Sequence, residues 1–257
     1  GNDYIVIQEG TSEGTQVKYK KDGYWYKKDN RGNEGRAEYL VSKFMQFTTL
    51  QENEFISYEE GTINGKSGCR SKNFLDEEEE LVTFYRLYYN EVGKDLSKVI
   101  ANMNTMEERI EYVIRFIDQS CGLNIHAYLS KVLTLDMICL NEDRHLNNIA
   151  ILEENGKYHY CPLFDNGEGL MLDNVKYPFD VETRGLMKHL RAKPFQCRFG
   201  TILSAARDLY GAQLKIVCSA AEVSEIAEKY LTLLDYAQDD YMGLSYDDGN
   251  KKFANGD

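Results

Sequence analysis

Residues 141–152 read NEDRHLNNIAIL, with Asp143, Arg144, His145, Asn147 and Asn148 crowded directly in front of four apolar residues. A polar turn accounts for such a cluster unless another part of the chain delivers more functional groups to the same point. The following segment does so. In IAILEENGKYHYCPLFD an Asn-Gly pair separates two runs of alternating character, the strongest short-range signal for a β-hairpin. Residues 149–152 are therefore expected to pair with 158–161. That pairing returns the chain on itself, so FDNGEG after the second strand meets the polar cluster before the first. Asp143, Asn148 and Asp165 are expected to converge.

Two carboxylates and a carboxamide make an oxygen-rich site suited to a hard cation. Mg²⁺ takes one or two carboxylates and leaves positions for phosphate oxygens and water. Phosphoryl transfer uses such a set: one Asp receives the acceptor hydroxyl proton, while an Asn and a second Asp hold metal. Asp143 and Asn148 are five positions apart, the Asp-to-Asn spacing of a protein-kinase catalytic loop. Asp165, followed by Asn166 and Gly167, has the place of the metal-binding Asp before a glycine. The same chemistry needs a glycine-containing turn over the phosphates and a cation from an early strand. GTSEGTQ, with Gly10, Thr11, Ser12 and Gly14, offers backbone N–H groups; Lys27 or Lys28 in YWYKKD offers the cation. Side chains alternate along a strand, so only one of these lysines points to a given side.

NEDRHLNNIAIL followed by CPLFDNGEGL closely resembles the signature of the HipA-like kinases and their phosphatidylinositol 3/4-kinase-like relatives. YWYKKDNRGNEGRAEYLVSKFM is similar to that family's lysine-bearing strand and following helix. Within the family the chain looks most like the small bacterial cell-translocating kinase A (CtkA) group. The resemblance implies an α+β, bilobal protein-kinase-like fold, with a small β-rich N-lobe over residues 1–75 and a larger helical C-lobe over 76–257. It implies ATP and Mg²⁺ as cofactors; among acceptors a protein serine or threonine ranks ahead of a lipid headgroup or a small metabolite because the acidic charge disfavours a membrane surface, and autophosphorylation in GTSEGT is an expected by-product. By position, Asp143 matches the catalytic Asp, His145 the histidine beside the transferred phosphate, and Asn148 and Asp165 the metal ligands. The resemblance assigns Lys27 rather than Lys28 to the nucleotide phosphates. Glu38 is placed either for an ion pair with Lys27 or for solvent, and Arg144 either braces the loop or meets phosphate. The family's phosphate loop is poorer in glycine than EGTSEGTQ, and its longer N-terminal region has no counterpart in this stretch.

Other elements must position these groups. Residues 4–8, VKYK and YWYKK read as strands, the last two flanking the turn KDG, and 34–47 as an amphipathic helix. Residues 54–58 read as a strand, GTINGKSGC as turns, and 57–75 as the stretch holding the adenine hinge. The acidic run 76–80 reads as the first turn of a helix, where carboxylates favour the macrodipole. Helical spacing recurs at 106–119, behind the capping-box pattern TMEE, and at 125–140, 201–210, 213–220 and 222–236.

Bulk composition narrows the function classes. The 257 residues carry a formal net charge of −12, which disfavours nucleic acid and anionic membrane as partners because both require a basic face. A local exception is residues 184–198. Six scattered cysteines without a CxxC pair read as reduced thiols and favour the cytosol. No apolar run is long enough to span a bilayer. A zinc hydrolase using His126, Cys139, His145, His159 and Cys161 is the weaker rival, since these lack the close ligand pairs of zinc sites. A catalytically inactive kinase-fold binding module and a lipid or small-molecule kinase are the nearer alternatives.

Overall fold

The computed structural model describes residues 5–7, 18–173, 176–178, 181–219, 221–225, 246–247 and 252–253. The chain divides into two compact units, residues 1–74 with 216–257, and residues 75–215.

The first unit is built on a five-stranded antiparallel sheet in the order β1-β2-β3-β5-β4. Its strands are β1 (Ile5–Ile7), β2 (Lys18–Lys21), β3 (Tyr24–Lys28), β4 (Glu59–Ile63) and β5 (Lys66–Lys72). Both β2–β3 and β4–β5 turn through an Asp-Gly or Asn-Gly pair with positive φ at each residue: Asp22 (51°) and Gly23 (77°), Asn64 (56°) and Gly65 (71°). This is the twist-matched two-residue hairpin. GTINGKSGC thus contains a hairpin where turns were expected. The strand expected at 54–58 lies instead at β4: Gln51 and Glu54 cap one another reciprocally around the short 3₁₀ turn Glu52–Glu54, which holds the preceding residues out of the sheet. Helix α1 (Glu34–Met45) packs on β4 and β5. Both faces of β3 are covered, for Tyr26 packs with Ile63 while neighbouring Lys27 is also buried.

The second unit is mainly helical, with α2 (Phe84–Val92), α3 (Leu96–Ala101), α4 (Met106–Cys121), α5 (His126–Cys139), α6 (Thr183–Met187) and α7 (Phe199–Tyr210). A three-stranded antiparallel sheet accompanies them, ordered β6 (Glu79–Thr83), β7 (Ala150–Glu154), β8 (Lys157–Tyr160). The Asn155-Gly156 hairpin forms, with Ile151 opposite Tyr160. Residues 79–83 are strand rather than helix: Leu81 pairs with Leu152 and Val82 with Ile151, so tertiary pairing overrides the helical spacing. The helix starts one residue later, capped by the Thr83 side chain accepting from the Arg86 N–H. Thr105 and Glu108 form the expected capping box of α4. Helix α5 is buried on most of its circumference, and the Tyr128 hydroxyl ties it to β7 by donating to the Ala150 carbonyl at 3.1 Å.

Residues 213–219 are not helical. Ile216 bridges to Thr48, and the Val217 N–H donates to the Phe47 carbonyl at 2.9 Å, so this segment is held extended. These contacts tie residues 216 and 217 to the first unit. Residues 221–225 are helical, and the remainder of the expected 222–236 helix lies outside the described residues. Two short strands, β9 (Tyr246–Asp247) and β10 (Lys252–Phe253), pair antiparallel. Among the described residues no helix is long and apolar enough to cross a membrane.

Candidate active site

In the second unit the candidate residues are organised by one buried cation. Helix α5 ends at Leu140, whose φ of 54° turns the chain out of the helix, and the polar loop follows. Arg144 is 1% exposed. Its Nε and Nη2 bond to the Asp136 carboxylate on α5 at 2.9–3.1 Å. Nη1 donates to the Asn148 carbonyl at 3.2 Å and the Phe164 carbonyl at 2.5 Å, and Nη2 also to Asn166 Oδ1 at 2.6 Å. Burial opposes the guanidinium's charge, but Asp136 more than offsets it and holds Arg144 above its ordinary range. The open choice for Arg144 is thus resolved in favour of a brace: one planar fork links the helix, the loop before β7 and the loop after β8.

That brace brings the sequence-predicted groups together. Asn148 donates through Nδ2 to the Asp143 carbonyl (3.4 Å) and lies 3.3 Å from His145 Nε2. His145 is buried, with Nε2 3.8 Å from Asp143 Oδ2. Asp165 follows Phe164 directly, and its carbonyl accepts from Asn141 Nδ2 at 3.4 Å. Its φ of 61° lies in the left-handed region, a conformation that Asp tolerates better than most residues and that recurs at functional sites. Asp143, Asn148 and Asp165 are each half-buried above the fully buried Arg144. With the Asn148 nitrogen donating to the Asp143 carbonyl, its amide oxygen is the atom whose chemistry suits a hard cation.

In the first unit, Lys27 Nζ meets Glu38 Oε1 at 2.6 Å, with side chains 8% and 1% exposed. Lys27 also lies 5.3 Å from the centre of the Tyr58 ring. Lys28 is only half-buried. Of the two placements open to Glu38, the structure takes the ion pair. Helix α1 is set by two acidic side chains: Asp29 Oδ1 accepts from the Gly35 N–H at 2.7 Å, and the Glu34 carboxylate accepts from the N–H groups of residues 30–33 at 2.8–3.2 Å. Gly35 sits so close to β5 that a Cβ there would lie 2.6 Å from the Gly68 carbonyl carbon. Burial pushes the Asp29 carboxyl up to about 6. Gly10, Thr11, Ser12 and Gly14 lie outside the described residues.

Sequence reasoning missed Asp136, Asn141, Asn166, Asp29 and Lys193. Asp136 had a signal, a carboxylate inside the apolar run LTLDMICL eight residues before Arg144. Lys193 had none beyond its basic surroundings, yet its Nζ lies 3.0 Å from Asp143 Oδ1. The zinc candidates are not gathered. His126 stacks on Tyr210, His159 pairs with Glu79 at 2.6 Å, and no group of three or more His, Cys, Asp or Glu among the described residues is arranged to hold a metal ion.

No family model and no curated protein matches this chain. Among solved structures it is similar to the proinflammatory kinase CtkA of Helicobacter pylori, at 17% identity and a TM-score of 0.53, covering 87% of this chain and 85% of that one. The fold is CtkA-like. A chain of the Shewanella oneidensis HipA–HipB toxin–antitoxin complex with operator DNA also matches, at 11% identity and a TM-score of 0.42, covering 92% and 63%. The mixed α+β, kinase-like architecture implied by the motifs is therefore the one the chain adopts, and the CtkA-like fold places an antiparallel sheet with α1 in one unit and the Arg144-braced loops in the other.

Proposed function

We propose that the chain is an ATP- and Mg²⁺-dependent phosphotransferase that acts on serine or threonine hydroxyls of a protein. The observation that carries this reading is the Arg144 brace, which sets an Asp, an Asn and a second Asp on adjoining loops in the order that phosphoryl transfer uses. Asn148 and Asp165 would hold Mg²⁺, which when bound neutralises polyphosphate oxygens. Asp143 orients the acceptor hydroxyl and receives its proton. The acceptor oxygen forms the new bond to the γ-phosphorus as the bond to the β,γ-bridging oxygen breaks, and ADP leaves with that electron pair. His145, within reach of Asp143 and Asn148, steadies the loop beside the transferred group. Lys27, oriented by Glu38, is assigned to the nucleotide phosphates, together with the turn at Gly10, Thr11, Ser12 and Gly14. The adenine hinge is assigned to the range 57–75, in which β4 and β5 form and residues 73–75 follow β5.

The test is incubation with labelled ATP and Mg²⁺, with a generic protein acceptor and a phosphoinositide side by side. Label is expected on protein. Asp143→Ala should lower transfer on the order of 10²- to 10⁴-fold, and Asp165→Ala should do likewise, with circular dichroism unchanged. Transfer by Asp143→Ala at the wild-type rate would refute the assignment.

A further inference from the structure

Residues 184–198, RGLMKHLRAKPFQCR, contain five Lys and Arg and no Asp or Glu, within a chain of net charge −12. The segment is anchored. Ala192 and Cys197 bridge, with the Ala192 N–H donating to the Cys197 carbonyl at 2.8 Å. Phe195 is 1% exposed, and its carbonyl accepts from Arg109 Nη1 on α4 at 3.1 Å. This anchoring brings one cation, Lys193, to Asp143. The Lys193 N–H donates to the Glu142 carbonyl at 3.0 Å while its Nζ reaches Asp143 Oδ1 at 3.0 Å. The Arg191 N–H is 3.4 Å from Glu142 Oε1, and Lys176 Nζ is 2.5 Å from Glu142 Oε2. Lys188, Arg191 and Arg198 are exposed, and none of the three pairs with a carboxylate among the described residues.

The overall negative charge does not decide what binds here. At physiological ionic strength charges separated by more than about 8 Å are largely screened, so an approaching acceptor feels the local cations and not the distant carboxylates. We propose that residues 184–198 form the acceptor-docking surface and select a peptide whose Ser or Thr is flanked by Asp or Glu. Lys193 forms the inner end of this surface and positions Asp143; the exposed cations meet the flanking carboxylates. The proposal rests on the phosphotransferase reading. An anionic lipid headgroup would meet the same cations, and the vesicle arm of the test separates it from the peptide.

Fluorescence anisotropy with the full chain tests this without requiring turnover. Three labelled peptides share a Ser/Thr core flanked by Asp/Glu, by Asn/Gln or by Lys/Arg. The acidic peptide is expected to bind about 10-fold tighter than the neutral one, and its advantage should shrink in high salt. The double charge reversal Lys188→Glu/Arg191→Glu should invert the order, making the basic peptide the tighter ligand, a gain that misfolding cannot produce. Wild-type preference for the basic peptide, or no discrimination, overturns the proposal. So does binding of phosphoinositide-containing phosphatidylcholine vesicles without binding of the acidic peptide. Acidic-peptide binding that inverts as expected, with no labelled phosphate reaching any peptide from ATP, supports the surface and overturns the phosphotransferase reading.

Discussion

Each unit buries a charge pair, and the two pairs are built differently. Lys27–Glu38 joins a compact ammonium to one carboxylate oxygen across a strand and a helix. Arg144–Asp136 is multidentate, and the same guanidinium also serves two backbone carbonyls and the Asn166 side chain. A buried pair can often be replaced by apolar groups of similar volume at little cost, whereas removing a donor that also satisfies other buried acceptors leaves those acceptors unpaired. Lys27–Glu38 is suited to presenting charge; Arg144–Asp136 is suited to fixing loops.

The largest expected effect follows from that contrast. Arg144→Met alone should destabilise the second unit by about 3–5 kcal/mol, since Asp136 is left as a buried unpaired charge. Adding Asp136→Leu removes the charge but leaves three acceptors without their donor, so a loss of about 3 kcal/mol should persist in thermal denaturation. A double variant that melts like wild type would break the comparison. In the first unit, replacing both charges together, Lys27→Met with Glu38→Leu, is expected to cost less in thermal denaturation than either single replacement, while phosphate transfer falls on the order of 10²-fold.

Asp29 sharpens the same contrast by pH. Its carboxyl is raised by burial, with Glu34 and Glu60 adding repulsion against the hydrogen bonds from Ser67 and Gly35, and Glu60 itself is paired with Arg36. Because the folded value of about 6 exceeds the unfolded value, the folded state holds the proton more tightly. Stability therefore declines as pH rises from about 4 to about 6 and levels off above. Asp29→Asn keeps an oxygen for the Gly35 N–H and should flatten that decline, raising stability at pH 8 by about 1–3 kcal/mol. Denaturation curves across this range check it. The smallest effect is local: Thr105→Ala removes one half of the α4 capping box and should cost about 1 kcal/mol by the same measurement.

The readable parts of the fold were those set by neighbours in sequence. Asn155-Gly156 specifies its hairpin through the positive φ both residues tolerate, and Thr105 with Glu108 specifies a helix start through two reciprocal hydrogen bonds. Where distant partners decide, local pattern misled. Residues 79–83 have helical spacing and are strand because β7 offers an edge. Residues 213–219 have helical spacing and are not helical, and Thr48 and Phe47 hold Ile216 and Val217. At the candidate site, Asp143, Asn148 and Asp165 were legible because one short hairpin relates them. Asp136 and Lys193 were not, since each reaches the site from an element whose approach no local pattern encodes.

From the sequence alone came the elements bounded by turn and cap chemistry, the oxygen-bearing residues and their spacing, and the basic character of residues 184–198. Those properties depend on backbone preferences and side-chain identity within a few positions. Tertiary structure alone decided that Lys27 rather than Lys28 is paired with Glu38, that Arg144 braces loops instead of standing ready for phosphate, and that Lys193 touches Asp143. Each of those outcomes is a contact between separate elements, and its energy exists only once burial has removed the water that would otherwise satisfy the charges.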